Sequence, residues 1–209
     1  MCGFTGFIEQ GHQTEEHYRQ TIEAMNTPLA HRGPDDEGVW IDPSAGLALG
    51  HRRLSILDLS EEGHQPMFSS SRRFVCVYNG EIYNFQAIRK ELEARGQTFR
   101  SECDTEVLLA ALKEWPLEEA LNRFVGMFTI AVYDRSHSKL YLVRDRLGIK
   151  PIYYGWAGST FLFGSELKAL RQHPAWEGSI NTDALEYLLR YNYIPTPLSI
   201  YQTIYKLPP

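Results

Sequence analysis

The chain has 209 residues, 43% of them hydrophobic, enough to bury a sizeable core in one large domain or in a domain with an appended fragment. A formal net charge of −5, pI ≈ 5.8 and the lack of any run of Lys and Arg argue against nucleic acid or an anionic membrane as partner and favour a small polar metabolite. No stretch approaches a membrane span and no signal peptide is evident, so the chain is expected in the cytoplasm with its thiols reduced.

The first segment, Met1-Cys2-Gly3-Phe4-Thr5-Gly6, carries chemistry if Met1 is removed. Cys2 then holds a thiol, ordinarily of pKa about 8.5, beside an α-amine of about 7.7–8.0, a nucleophile and a base in one residue. The alternative is a small apolar residue entering a strand. Gly3 to Ile8 reads as that strand, and Tyr18, Ile22 and Met25 give Glu15 to Met25 helical spacing. His31-Arg32-Gly33-Pro34-Asp35-Asp36-Glu37-Gly38 is dense in turn formers and reads as a loop, either a solvated turn or one in which His31 and Arg32 line a site. Val39 to Ile41 and Leu47 to Gly50 read as strands leading into His51-Arg52-Arg53-Leu54-Ser55. In an extended segment Arg52 and Arg53 point oppositely, and an inward guanidinium needs an anion such as a ligand carboxylate.

Phe74 to Tyr78 is the clearest strand and runs into Asn79-Gly80, ordinarily a hairpin signal. Phe85, Ile88 and Leu92, with Asn84 as cap and Gly96 as stop, instead predict that the dipeptide connects a strand to a helix. A side-chain amide and a backbone N–H could then converge as an oxyanion hole. Asp104, before a helix running to about Trp115, reads as an N-cap or as a carboxylate for a ligand ammonium. Val125 to Tyr133 and Lys139 to Val143 predict a hairpin, and Arg144 to Pro151 an internal ion-pair network or an interface. Strands follow at Ile152 to Tyr154 and Thr160 to Phe163, and helices at Ser165 to Leu170 and Thr182 to Tyr191. Residues 193–209, with four prolines, read as a linker after a domain of residues 1–192, and the ending on Pro208-Pro209 suggests a further domain. Cys2, Cys76 and Cys103 have neither metal-ligand nor disulfide spacing, so no metal is expected.

The segments MCGFTGF, HRGPDDEG, HRRLSILDLS, QPM, NGEIYNF, CDTEVLL, GMF, RDRLGIKPIYY and GSELKAL, in that order, resemble the N-terminal glutaminase domain of asparagine synthetase, a class II glutamine amidotransferase among the N-terminal-nucleophile hydrolases. The resemblance implies an α+β fold, a four-layer α/β/β/α sandwich of two mainly antiparallel sheets. It implies hydrolysis of glutamine to glutamate and ammonia through a Cys2 thioester, with Asn79 and Gly80 as oxyanion hole. Arg53 would hold the substrate α-carboxylate beside Leu54, Ser55, Ile56 and Leu57, and Glu81 and Asp104 would lie on the α-amino side, with Arg32 as support near the amine. No cofactor is implied in this chain. There is no Ser-Gly-Gly-x-Asp-Ser loop, so ATP and Mg are expected only in a C-terminal synthetase domain, the implied partner, which amidates aspartate. A homodimer is one option for assembly. The competing readings are amidation of a sugar-acid or peptide carboxylate, and an inactive glutamine-binding or docking module.

Overall fold

A computed structural model describes residues 1–11, 13–56 and 60–209. Its elements are β1 (Gly3–Ile8), α1 (Glu15–Asn26), β2 (Asp36–Asp42), β3 (Leu47–Arg53), β4 (Met67–Phe68), β5 (Phe74–Ile82), α2 (Phe85–Ala94), α3 (Asp104–Glu114), α4 (Leu117–Arg123), β6 (Gly126–Asp134), β7 (Lys139–Arg144), β8 (Tyr153–Ala157), β9 (Thr160–Gly164), α5 (Leu167–Leu170), α6 (Thr182–Tyr191) and β10 (Ile204–Lys206). The strands form two antiparallel sheets, β10-β8-β9-β1-β3-β2 and β4-β5-β6-β7.

Alternation along the strands assigns each face to a layer. Phe4, Leu47, Leu49, Val75, Val77, Ala131 and Phe163 meet between the sheets. Phe7, Ala48 and Leu162 look the other way, onto Tyr18, Ile22 and Met25 of α1 and Leu170 of α5. Cys76, Tyr78, Ile130 and Val132 pack under α2, α3 and α4 through Ile88, Leu92, Leu108 and Ala120. The layers are therefore helix, sheet, sheet, helix, the expected sandwich. Gly6 lies flat because an added Cβ would sit 2.3 Å from the Phe163 ring in the layer between the sheets.

Four expectations change. Asn79-Gly80 neither turns nor connects: β5 continues to Ile82, with Gly80 facing Phe128, and a Cβ there would lie 2.3 Å from the Met127 carbonyl oxygen. Cys103 holds the cap position of α3, and Asp104 is its first helical residue. The charges of Arg144 to Lys150 bind backbone rather than each other: Asp145 accepts the N–H groups of Phe128, Leu147, Ile149 and Lys150, while Arg144 donates to the carbonyls of Gly148, Lys150 and Leu207. Within 193–209, expected as a linker, Ile204 is buried and β10 extends the six-stranded sheet beside β8. Three residues are too few to show an alternating pattern in sequence. Among the described residues no helix is long and apolar enough to cross a membrane.

Candidate active site

Strand parity delivers the site. On β5 the face of Val75 and Val77 continues to Asn79 and Glu81, and on β3 the face of Leu47 and Leu49 continues to His51 and Arg53. Cys2 precedes Phe4 by two residues, so it shares the inter-sheet side of β1. These ends converge where the layer between the sheets opens into a cleft of about 630 Å³, mouth included, lined by Cys2, Arg53, Leu54, Ile56, Gly63, Gln65, and further along by Asn79, Gly80, Glu81, Asp104 and Lys150.

Cys2 is half-buried, and its Sγ accepts the N–H of Leu54 at 3.3 Å and lies 3.6 Å from the Leu54 carbonyl oxygen. Cys76 and Cys103 are buried, and burial pushes both thiols up. Asn79 is 2% exposed, and its Nδ2 has no hydrogen-bond partner among the described residues. An orphaned buried donor is costly unless something else accepts from it. Gly80 adds a second donor. Phe128 opposite it exchanges bonds with Asp145, giving its N–H to Oδ2 and taking the Asp145 N–H, so this is a non-hydrogen-bonded pair of β5 and β6. The Gly80 peptide then turns away from β6, as does that of Tyr78, whose N–H meets Gln65 Oε1 at 2.7 Å and whose carbonyl accepts from His51 Nε2 at 3.0 Å. Two donors beside a thiol are able to hold the oxyanion of an acyl-transfer intermediate.

At the other end Arg53 donates from Nη1 to the Ser60 carbonyl at 2.7 Å. A Cβ on Gly63 would lie 2.0 Å from its Nη2, so glycine leaves the guanidinium its place. Arg52 points to the opposite face and pairs with Glu37. Asp104 accepts the Tyr78 hydroxyl at 2.6 Å and the Ile82 N–H at 3.0 Å. Burial raises its carboxyl above the usual range against these bonds, and raises the Tyr78 hydroxyl as well. Gln65 Nε2 reaches Thr105 Oγ1 at 3.5 Å, tying α3 to β5. Arg32 clamps the N-terminus, with Nε on the Cys2 carbonyl and Nη1 on Glu166, both at 2.8 Å. Burial would raise the Glu166 carboxyl, but Arg32 and Lys168 bring it below the ordinary value.

His51 underlies the cleft, and burial lowers its imidazole to about 4. The unfolded chain takes up a proton near pH 6.5 that the native state refuses until about 4, so stability falls as pH drops through that window. His173, also lowered by burial to about 4, acts in the same sense. Urea unfolding is expected to show a loss of about 2 kcal/mol from His51 between pH 7.5 and pH 5. His51→Gln should flatten that slope by the same amount, and an unchanged slope would refute the assignment.

The structure thus brings together Cys2, Arg53, Leu54, Ile56, Asn79, Gly80, Glu81 and Asp104, with Arg32 behind the N-terminus. Ser55 does not line this cleft: its N–H goes to Asp35 Oδ2 at 2.8 Å, and it lies in a neighbouring depression with Asp36 and His64. Leu57 lies outside the described residues. Sequence reasoning missed Gly63, Tyr78, Lys150 and Glu166 and assigned Gln65 no role. Parity placed Tyr78 beneath Asn79, but nothing local marked the others.

A sandwich of this kind, with the Cys2 thiol and the Asn79 Nδ2, unpaired among the described residues, at its open edge, fits an acyl-transfer domain. The chain belongs to the glutamine amidotransferase domain family, whose model matches residues 1–209. It is 40% identical over 199 residues to asparagine synthetase [glutamine-hydrolyzing] 3 of Bacillus subtilis (strain 168), covering 94% of this chain and 32% of that protein. It is 38% identical over 226 residues to putative asparagine synthetase [glutamine-hydrolyzing] 2 of Methanocaldococcus jannaschii, covering 99% and 42%. The chain therefore spans less than half the length of either relative. The solved glutamine phosphoribosylpyrophosphate amidotransferase from B. subtilis, in complex with ADP and GMP, shares the fold: TM-score 0.68 at 21% identity, over 81% of this chain and 43% of that one.

Proposed function

We propose that this domain, once Met1 is removed, hydrolyses glutamine to glutamate and ammonia. The observation that carries the reading is the convergence on one cleft of Cys2, the unpaired amide of Asn79 and the guanidinium of Arg53. The Cys2 amine takes the thiol proton as Sγ attacks the side-chain amide of glutamine, and Asn79 and Gly80 hold the oxyanion. The C–N bond breaks as the amine returns the proton to the departing ammonia, and water then cleaves the glutamyl thioester. Arg53 binds the α-carboxylate, and Glu81 and Asp104 the α-ammonium. Among the described residues no group of three or more His, Cys, Asp or Glu could hold a metal ion.

The acceptor of the ammonia is aspartate, activated with ATP by a synthetase domain of the kind the relatives' names indicate, in the cytoplasm. The apolar surface of α6 supports such a covering partner: Leu185, Tyr187, Leu188, Leu189 and Tyr191 are all exposed, and only Ala184 is buried. The test is an assay of chain whose mass shows Cys2 as first residue. It should release glutamate and ammonia from glutamine in equal amounts, whereas glutamine binding without turnover would favour a sensing module.

A further inference from the structure

Among the described charged residues that line the cleft, Lys150 alone has no part in the chemistry above. It arrives from the loop after β7, which is tightly held. The Lys150 N–H is one of four that Asp145 gathers on its carboxylate, and its carbonyl accepts from Arg144 Nε at 2.8 Å. Through the Phe128 N–H, Asp145 also ties the loop to the residue facing Gly80. Lys150 is 6% exposed, yet among the described residues its ammonium has a single side-chain partner, the Sδ of Met1 at 3.3 Å. A thioether is a weak acceptor, and an ammonium buried against one is costly. Removal of Met1 takes away even that partner and leaves the ammonium in the cleft that Cys2 also lines.

We propose that Lys150 tunes the N-terminal base. With Met1 gone, its ammonium disfavours a second positive charge on the Cys2 amine and so keeps that amine unprotonated and able to accept a proton at neutral pH. The same charge favours the thiolate over the thiol. The inference rests on the glutaminase reading of the site.

Among the described residues, the other charged and titratable groups facing this N-terminus, Glu81 excepted, do not offset it. Arg32 reaches the Cys2 carbonyl and shares Glu166 with Lys168, so it acts in the same sense as Lys150, and Arg53 is turned to the far end, onto the Ser60 carbonyl. On the side of β5 and α3, Asp104 is engaged by Tyr78 and Ile82, and the Cys103 thiol is pushed up by burial, so it stays neutral. Glu81 acts in the opposite sense from Lys150, and the pair sets the balance.

The experiment uses chain verified by mass to begin at Cys2. Two readings are taken between about pH 5.5 and 9: kcat/KM for glutamine, and the rate of alkylation of Cys2 by iodoacetamide, followed on the N-terminal peptide. The burial of Cys76 and Cys103 keeps the second reading specific. Lys150→Met should move both acid-side midpoints upward by roughly half to one pH unit, and Lys150→Arg should restore them. Lys150→Gln gives the same reading should the methionine variant not fold. Midpoints that stay in place, or a rise in KM at an unshifted midpoint, overturn the proposal. Alkylation needs no turnover, so wild-type chain that reacts with iodoacetamide but not with glutamine sinks the glutaminase reading while the Lys150 comparison still decides this one.

Discussion

Cys2→Ala, in chain that begins at residue 2, is expected to lower glutamate release by about 10⁴-fold or more while glutamine still binds. No other thiol is able to substitute, because Cys76 and Cys103 are buried and burial keeps them protonated. The proposed glutamine pocket is untouched, since Arg53 is anchored by Ser60 and Asp104 by Tyr78 and Ile82. Calorimetric titration with glutamine should therefore give an affinity within a few-fold of wild type. Chain that retains Met1 is the informative companion. It keeps the thiol and its Leu54 contacts but moves the amine one residue away, so it should be nearly as inactive as the alanine variant. Turnover in Cys2→Ala at a tenth of the wild-type rate would rule out the thioester route.

Asn79→Ala carries the second large effect, a fall in kcat of about 10²–10³-fold, or roughly 3–4 kcal/mol of transition-state stabilisation. The reason is geometric. The amide is built into a central strand, buried and with its Nδ2 unpaired among the described residues, so it is aimed before the substrate arrives and no reorganisation is required when charge develops. KM should change little, because the oxyanion exists only along the reaction path. Folding stability should also hold or rise slightly, since the variant removes a buried donor that has no partner among the described residues. Gly80 contributes through its backbone and remains, which is why activity falls without vanishing. Steady-state kinetics separate the outcomes: a kcat within threefold of wild type would remove Asn79 from the oxyanion hole.

Much of this arrangement could be read before any coordinates. The strands β1, β5, β6, β8 and β9 show in their apolar runs, and α1, α2 and α3 in their 3.6-residue spacing, because those patterns follow directly from burying one face. The opposition of Arg52 and Arg53 was also legible, as a consequence of strand geometry. Which arginine turns inward was not, since that depends on which face of β3 the second sheet covers. Asn79-Gly80 is the clearest case of local chemistry overruled. The pair is a strong turn former, yet β6 holds it extended because Gly80 alone fits against Met127 and Phe128. Asp104 likewise left the cap position to Cys103, because its carboxylate meets Tyr78 and Ile82 of β5, a partner strand more than twenty residues away.

Most of the elements, their alternating faces, the candidate thiol at residue 2 and, through the ordered motifs, the family were legible in the sequence, whereas β4, α4 and β10 were not. The packing alone reveals that Gly63 makes room for Arg53, that Gln65 braces β5 against α3, that Ile204–Lys206 joins the sheet, and that Lys150 meets Met1. Periodicity records whether a residue is buried, whereas a site is made of residues far apart in the chain whose meeting depends on how two sheets are stacked.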